Sequence, residues 1–569
     1  MAVNNLKNKE PQNLRIDVAF GIQAASGDLA FSDSVSSVVY GYNALGEGEW
    51  DGVDQAYYKG VQIPATDLHF HSGALATGMT SGPQQVDSWF NLDVPHSRTA
   101  AVGYKVPTGL ADADTEASPP DGFEGIFRTK KVADFDNAGT QTDFSFSANP
   151  ARVIAQLLND YARLPNVPTT YAAIPDYWKS RIDWAAWKDW RDYCATTETV
   201  DYTTLTDFDG FGLTATFFSD AALTTPVRTF VQPNIDSQGT SSAPPVYGVS
   251  GSTFSARFEG KLRAKYSETY TFRVTHDDGA KLWVNGSLII DKWTTTGTDT
   301  GTIALTAGTL YDIKLEWKQS GGNWDCRLEW SSTSQPWSTI PAKYLYPLPM
   351  TKPRYESHIF WSQPTTIGAA IAEVLYITNS IMQEVNGKLR FFNLEQLTSS
   401  SFTLDDSNID RLKFKRRDIL KANPITAYEA KFRDLDSNYL EEPIVPVRYE
   451  LDTYARKTAE NVKVIDLYNT TRWQARKVIE MRAKLEATDD LYLEAQTSMA
   501  KTYPIVAGDL VTASHRKLGL TASTYLVREA TDHAVSETSR QQSDQAEMRT
   551  LILQGWIPPG EGGEGDGGR

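Results

Sequence analysis

The sequence predicts a multidomain α+β protein that is mostly β, in which an antiparallel β-sandwich interrupts a longer scaffold. The chain has 569 residues, which is long enough for several domains. Aromatic residues make up 11% of it, including 15 Trp, a composition typical of β-structure and contact surfaces. Short alternating strands fill the region from Phe211 to Tyr346, whereas the sequence on both sides returns to helical patterns.

Helical patterns flank the strand-rich region. Asn149 and Pro150 suit the N-cap and the first position of a helix, and the following turns carry one apolar face. Residues 183–194 predict a second amphipathic helix, and residues 366–375 predict another one beyond the strands. The packed face of the second helix is expected to contain Trp187, Trp190 and Cys194.

A last helix is predicted from about Thr471 to Ala487. The helical period places small and aliphatic residues inward. These inward residues are Ala475, Val478 and Ile479. The basic residues expected on its outer face are Arg472, Arg476, Lys477 and Arg482.

Strands account for most of the remaining scaffold. Residues 15–145 are rich in Gly, Ser, Thr and Asp and predict an irregular β-rich region. The C-terminal stretch 557–569 is too polar and Gly-rich to fold by itself, so we expect a disordered tail. Later strands are expected at 389–393, 427–432, 505–513 and 525–527, with a turn at Gly508 and Asp509.

Strict period-two patterns with short turns characterise the central region. Apolar positions alternate along 262–266, 270–274 and 311–317. The pair Asn285-Gly286 is a strong hairpin signal. Such patterns favour an antiparallel sandwich.

These patterns divide the chain into four parts. Residues 1–207 and 349–556 form the two parts of the scaffold, residues 208–348 form an inserted β-sandwich that we call the module, and residues 557–569 form the tail. Because insertions are tolerated where their ends meet, Asp209 and Pro347 should lie close in space.

Charge and composition exclude some classes of function. The formal net charge of −16 disfavours a nucleic-acid binder and binding to an anionic membrane. The basic stretch 413–417 is interpreted as a solvated strand end or loop. No stretch approaches the length of a membrane span, and residues 1–10 lack the apolar core of a secretory signal. We therefore expect a soluble protein made in a cytoplasm.

No catalytic residues are predicted, because the sequence lacks the common zinc-protease, phosphate-loop and serine-hydrolase motifs. His69 and His71 place two imidazoles on one side of a strand, which is too few for a closed metal site. Cys194 and Cys326 fall in different domains, so neither a disulfide nor a zinc site is expected.

The acid pair Asp277-Asp278 is the main candidate for a binding site. It follows one predicted strand and precedes the hairpin at Asn285-Gly286. Adjacent carboxylates repel one another, so a shared site for both favours a cation, and calcium takes such oxygen ligands in flexible geometry. Asp-Asp-Gly is also ordinary turn chemistry, and the pattern by itself leaves both interpretations open.

The module closely resembles the domain named after anthrax protective antigen, which yeast flocculins and many glycosidases share. The resemblance rests on five segments, which cover about a quarter of the chain. They are Phe211–Phe218, Phe254–Leu262, Tyr270–Gly286, Leu328–Ser331 and Ile340–Tyr346.

This resemblance implies specific site residues. In the sugar-binding members of that family an aspartate pair joined by a cis peptide holds calcium, and Asp277 and Asp278 match that pair. In those members a second loop supplies an Asn and other contacts, and the loop 321–325 lies where such a loop could, which makes Asn323 a candidate ligand of calcium and sugar. Trp324 is a candidate for stacking on a sugar face, with packing as the alternative.

The flanking parts resemble the tail-tip hub proteins of siphophages. Segments 44–54, 57–60 and 149–158 match the early part of that family, and 473–479, 508–511 and 518–520 match the late part. The resemblance implies β-barrel and sheet domains that assemble as a homotrimeric ring, close the tail tube and meet the distal tail and tape-measure proteins.

Together the resemblances predict a structural baseplate hub protein at the tail tip of a virion, made in the host bacterial cytoplasm. Its module would bind a host-surface glycan with calcium. Two alternatives stay open at this point: a glycan-degrading enzyme with an accessory sugar-binding module, and a cell-surface adhesin. No enzymatic activity is expected of the leading candidate.

Overall fold

The structure is a computed structural model. It describes residues 7–8, 18–25, 28–35, 38–47, 49–59, 61–72, 99–107, 123–161, 176–205, 208–240, 245–246, 248–249, 251–361, 365–415, 425–439, 446–450, 461–487, 492–516, 519–533 and 548–556.

The fold is mostly β with a few helices, which confirms the predicted fold class. The scaffold before the module contains β1 (Lys7–Asn8), β2 (Val18–Ala19), β3 (Ile22–Ala25), β4 (Asp28–Val35), β5 (Val38–Glu47), β6 (Trp50–Tyr58), β7 (Val61–Gln62), β8 (Leu68–His71), β9 (Thr99–Pro107), β10 (Phe123–Phe135), β11 (Gln141–Phe146), α1 (Pro150–Tyr161), α2 (Asp176–Arg181), α3 (Trp184–Ala195) and β12 (Thr197–Val200).

The module is entirely β apart from one short 3₁₀ turn, as far as its described residues extend. Its strands are β13 (Leu213–Phe218), β14 (Pro226–Gln232), β15 (Asp236–Gly239), β16 (Phe254–Arg263), β17 (Glu268–Asp277), β18 (Gly279–Val284), β19 (Ser287–Lys292), β20 (Gly297–Leu305), β21 (Leu310–Gln319), β22 (Trp324–Ser331), β23 (Ser338–Thr339) and β24 (Leu345–Pro347).

The scaffold then continues with a second mixed part. Its elements are β25 (Met350–Pro353), β26 (Phe360–Trp361), α4 (Ile367–Ile377), β27 (Ser380–Val385), β28 (Lys388–Asn393), β29 (Phe402–Leu404), β30 (Ile409–Lys415), β31 (Ala427–Asp434), β32 (Val447–Glu450), β33 (Val462–Thr470), α5 (Arg472–Ala487), β34 (Tyr492–Ser498), α6 (Met499–Thr502), β35 (Leu510–His515), β36 (Leu520–His533) and β37 (Met548–Gly555).

The module is a sandwich of two antiparallel sheets. One sheet has the order β14-β13-β16-β21-β18-β19, with β24 also paired to β16. The other has the order β15-β22-β17-β20, with β23 paired to β22. Alternate residues of both sheets point inward and form a core that draws only on module residues, from Leu213 to Leu345.

The scaffold consists of several sheets and a shared helical core. Five strands in the order β1-β4-β5-β9-β8 form one sheet, and β11-β10-β6-β7 with β3 on β10 form another. In the second part, six strands in the order β29-β35-β36-β37-β34-β30 form a sheet, and α5 packs against β31 and β32.

Both parts of the scaffold share one hydrophobic core. Trp187 and Trp190 from before the module belong to the same buried cluster as Val374 and Phe391 from after it. The Trp190 ring stacks on Phe391 with centroids 5.5 Å apart, and its indole N–H donates to the Ser380 hydroxyl at 3.0 Å. The two parts are therefore one body that the module interrupts.

The chain leaves the scaffold and returns to it side by side. Strands β12 and β25 pair antiparallel, with Val200 directly opposite Met350. Inside the module the Gly210 N–H donates to the Lys343 carbonyl at 3.1 Å, and the Gly212 N–H donates to the Leu345 carbonyl at 3.0 Å. The ends of the module thus lie close together, which is the geometry that a domain insertion needs. The boundaries at residues 208 and 348 stay a prediction.

Local signals confirm the predicted helix starts and the hairpin. The Asn149 side chain accepts a hydrogen bond from the Ala151 N–H at 3.0 Å, so Asn149 caps α1 as expected. Trp187, Trp190 and Cys194 are buried on α3. Asn285 and Gly286 have φ of 51° and 74°, the left-handed values that a type I′ turn between β18 and β19 requires.

One late strand is shorter than the sequence predicts. Strand β35 begins at Leu510, so residues 505–509 are not part of it, and the predicted turn at Gly508 and Asp509 is present. The Asp509 side chain accepts from the Val506 N–H at 2.9 Å, and the Asp509 N–H donates to the Val506 carbonyl at 3.1 Å. The Gly508 N–H still donates to the Val527 carbonyl at 2.6 Å, so the turn leads directly into the pairing of β35 with β36. The predicted disordered tail, 557–569, lies outside the described residues.

The prediction that Arg472 lies on the outer face of its helix is wrong. Its side chain is 2% exposed, and its Nε donates to Asp434 Oδ2 at 2.7 Å. The guanidinium carbon lies 4.4 Å from the centroid of the Phe211 ring, which belongs to the module. Arg472, at the start of α5, is therefore buried by Asp434 and Phe211. The helical period of the sequence does not reveal these partners, because they lie in other segments of the chain.

The isolated module, residues 209–347, should fold cooperatively. Among the described residues its main core contains no scaffold residue, so excision leaves that core intact and removes a smaller cluster that Phe211, Val231 and Tyr346 share with the scaffold. A single cooperative thermal transition by circular dichroism is the expected result. A matched fragment that starts at Pro226 lacks β13, which joins β14 to β16, and should not fold. An unfolded 209–347 fragment would contradict the domain assignment.

Candidate functional site

The acid pair lies at a strand end of the sandwich. Asp277 is the last residue of β17, and Asp278 occupies the bend before β18. The peptide bond that joins them is cis, as the resemblance implies. Both side chains belong to half-buried residues, so they are anchored and still reachable from solvent.

Two loops from distant parts of the module contact the acid pair. The Thr296 hydroxyl, in the connection between β19 and β20, donates to Asp277 Oδ1 at 2.9 Å. The backbone N–H of Ser320, in the connection between β21 and β22, donates to Asp278 Oδ2 at 2.7 Å. The sequence offered no signal for Thr296 or Ser320, because neither belongs to a motif.

The backbone of the pair is fixed as well. The indole N–H of Trp317 donates to the Asp277 carbonyl at 2.9 Å, and the Asp278 N–H donates to the Lys318 carbonyl at 2.9 Å. Trp317 is fully buried in the module core. The core thus holds the acid pair in place, and a carboxylate substitution there removes charge without removing packing.

Asn323 lies in the loop that contacts Asp278. The buried Gln319 side chain donates to the carbonyls of Gly321 at 2.6 Å and Asn323 at 2.9 Å, which shapes the loop from within. Gly321 and Gly322 have positive φ, so glycine suits the bend there. Asn323 itself is exposed, and its loop touches the acid pair through Ser320.

Trp324 packs in the core, so its assignment as a sugar-stacking residue is wrong. It is 8% exposed, and its ring lies 6.1 Å from Trp317 and 6.2 Å from Phe254, centroid to centroid. Its indole N–H donates to the Thr240 carbonyl at 3.1 Å. The alternation of β22 turns Trp324 inward, which leaves no free ring face for a sugar.

The donor set at the acid pair fits calcium. Asp277 and Asp278 offer carboxylate oxygens, and Asn323 carries an amide oxygen in the loop that contacts Asp278 through Ser320; calcium takes such hard ligands. Within the described ranges no group of three or more His, Cys, Asp or Glu side chains is placed to hold a metal. A calcium ion here would therefore complete its shell with carbonyl or water oxygens.

The acid pair and the point where the chain returns to the scaffold lie toward opposite ends of β16. On β16, Phe254 pairs with Gln319, beside the acid pair, whereas Gly260 pairs with Pro347, where the chain returns to the scaffold. Six residues of strand separate these two positions, or about 20 Å at the usual rise. The site thus points away from the point of attachment.

The histidines, cysteines and basic stretch considered in the sequence lie outside the acid-pair site. His69 and His71 lie on β8, which pairs with β9. Cys194 and Cys326 are free and buried in separate cores, and burial raises the pKa of both thiols well above the usual value. Of the basic stretch 413–417, Lys413 lies on β30 with its Nζ 3.7 Å from a Glu494 carboxylate oxygen, and residues 416–417 lie outside the described part.

No helix in the described ranges has the length and apolar character needed to cross a membrane.

Comparison with known proteins places the module in a family. Residues 211–343 match the family model of the PA14 domain. The anti-sigma-I factor RsgI3 of Acetivibrio thermocellus is 41% identical over 105 residues, which cover 18% of this chain and 16% of that protein. The chain thus spans about a sixth of the length of this relative.

Two solved structures are similar in part. A PA14 sugar-binding domain from an RTX adhesin is 19% identical, with 24% of this chain and 98% of that chain covered and a TM-score of 0.21. A chain in the virion of a native gene transfer agent particle is 11% identical, with 97% of this chain and 86% of that chain covered and a TM-score of 0.44. Residues 211–343, which interrupt the larger scaffold, therefore match the PA14 domain family.

Proposed function

We propose that the protein is a structural hub of a phage-like tail tip that presents a calcium-dependent glycan-binding module. The observation that supports this proposal is that the chain consists of a scaffold and a separate inserted domain. A scaffold with one shared core is interrupted by a region that matches the PA14 domain, and the acid pair lies at the end of that region away from the point of attachment. Such a geometry suits a recognition domain mounted on an assembly component.

The scaffold supplies the assembly function in this proposal. Its early and late segments resemble siphophage hub proteins, whose β-domains form a trimeric ring. The chain would accordingly be a homotrimer that closes the tail tube and contacts the distal tail and tape-measure proteins in a virion. It would be made in the bacterial cytoplasm and would have no catalytic activity.

The module supplies attachment. Asp277, Asp278 and Asn323 would hold calcium, and open positions on the ion would take sugar hydroxyls of a host-surface glycan. The two loops that contact the acid pair, through Thr296 and Ser320, would hold the carboxylates in place before the ion binds. Preorganisation of this kind reduces the entropy lost on binding.

Assembly gives the direct test. Purified protein should form a ring of three copies in negative-stain electron microscopy, with three outward modules, and light scattering should report three times the mass of the chain. Chelation of calcium should leave the ring intact, because the acid pair lies away from the scaffold. A monomer that degrades glycans would overturn the proposal in favour of an enzyme.

A further inference from the structure

An aromatic and basic surface continues from the acid pair onto the outer face of the module. Trp293 belongs to the same connection as Thr296, which contacts Asp277. Its carbonyl lies against Gly279, where any Cβ would collide with it, so the loop that carries Trp293 packs directly on the turn after Asp278. The Trp293 side chain is half-buried and reachable from solvent.

Two lysines lie beside this ring. Lys318 Nζ is 5.3 Å and Lys281 Nζ is 5.8 Å from the Trp293 ring centroid. Lys281 is also 3.6 Å from an Asp291 carboxylate oxygen. Lys318 has Gly279 and Ser255 as its cross-strand neighbours, and it forms no ion pair with any residue in the described ranges.

The surface extends along the same sheet. Trp283 lies on β18 two residues beyond Lys281, on the same face, and Lys314 Nζ lies 4.0 Å from its ring centroid. Leu288, opposite Trp283 on β19, is 44% exposed. We define the lysine-indole surface as Lys281, Trp283, Trp293, Lys314 and Lys318.

We propose that the lysine-indole surface binds acidic sugar units, bearing carboxylate or phosphate, of a glycan that also reaches the acid pair. Indole rings pack on the apolar faces of sugar rings, and an unpaired ammonium selects an anionic substituent. In a chain of net charge −16, an acidic polymer needs such a local cation to approach. This inference rests on the proposed glycan binding of the module and adds the class of sugar.

The test compares polymers on the full-length protein. Immobilised polygalacturonate supplies carboxylates, poly(ribitol phosphate) supplies phosphates, and a neutral galactan supplies neither. Lys318→Gln should weaken binding to an acidic polymer about tenfold, the size of one lost charge-assisted contact, and leave binding to the galactan unchanged. Trp293→Ala should weaken binding to the acidic polymers and to the galactan alike, because the indole packs on sugar rings whatever their charge. Comparison of the two acidic polymers identifies the anionic group. Matched thermal denaturation curves establish that both variants are folded.

Lys261→Gln is the matched control. Lys261 lies on the same sheet toward the scaffold end and pairs with Asp312 at 2.8 Å, so its loss should leave binding to every polymer unchanged. Equal losses for Lys318→Gln and Lys261→Gln would indicate diffuse attraction and overturn the proposal, and so would equal affinity of the unsubstituted chain for neutral and acidic polymers. The proposed calcium site fails separately, if chelation leaves binding to every polymer unchanged.

Discussion

Replacing Arg472 with Met should lower the free energy of unfolding by about 3–5 kcal/mol, because it leaves buried carboxylates without their counterion. Asp434 and Asp436 have side chains with no exposed area, and Arg472 Nε donates to Asp434 Oδ2 at 2.7 Å. Lys352 Nζ lies 2.6 Å from Asp436 Oδ1 and would be the only close cation left among the described residues.

The decrease in the free energy of unfolding caused by Arg472→Met should depend on pH. Burial raises the pKa of Asp434 from its usual 3.8 to about 6, with Arg472 opposing that rise and Asp436 adding to it. Because the folded state holds this proton more tightly than the unfolded state, the contribution of Asp434 to stability falls as pH rises from about 4 to about 6. Removal of Arg472 raises the pKa further, so the variant should lose less stability at pH 5 than at pH 7.5.

Urea denaturation followed by tryptophan fluorescence at the two pH values measures this effect. Arg482→Met is the matched control on the same helix, since its Nη2 donates to the Tyr376 carbonyl at 2.9 Å and it forms no ion pair with a described carboxylate. The decrease in the free energy of unfolding caused by Arg482→Met should be smaller and nearly independent of pH. Adding Asp434→Asn to the Arg472→Met chain should recover part of the stability. A loss that is the same at both pH values would contradict the assignment.

Replacing Asp278 with Asn should abolish calcium binding by the full-length chain and, with it, calcium-dependent binding to a glycan. The amide keeps an oxygen that can accept the Ser320 N–H, so the fold is expected to survive while one ligand charge is lost. Asp277→Asn should act in the same way, since its oxygen can still accept from Thr296. In the unsubstituted chain, calcium at 100 times its Kd should stabilise the module by about 2.7 kcal/mol.

Isothermal titration calorimetry and thermal denaturation measure these changes. Asp312→Asn is the control, because Asp312 is 76% exposed and lies at the scaffold end of β21. It should bind calcium like the unsubstituted chain. The site is excluded if calcium at about 5 mM gives neither heat nor thermal stabilisation, since extracellular modules bind within that range. Calcium binding without any change in glycan binding would make the ion a structural support only.

Local signals in the sequence were sufficient for several elements. The Asn149 cap, the Asn285-Gly286 turn and the alternating strands of the module depend on neighbouring residues and on the period of each element. The main core of the module is built from module residues, so the alternating pattern that predicts this core lies within about 140 consecutive residues. The acid pair was visible for the same reason, because its two carboxylates are adjacent in the chain.

Contacts between segments that are distant in the sequence determined which polar and aromatic side chains are buried. The polar pattern placed Arg472 outside, but Asp434 and a module residue, Phe211, bury it. Trp324 could pack or stack by sequence, and the inward turn of β22 made it a core residue.

The sequence by itself determined the mostly β fold class, and it predicted the inserted module and the acid pair. These follow from residue types and spacing over short stretches. Only the tertiary structure showed that Thr296 and Ser320 converge on that pair, and that Lys318 lies beside Trp293 without an acidic partner in the described ranges. Such contacts join residues that lie 19 to 42 positions apart and depend on the register of the strands between them.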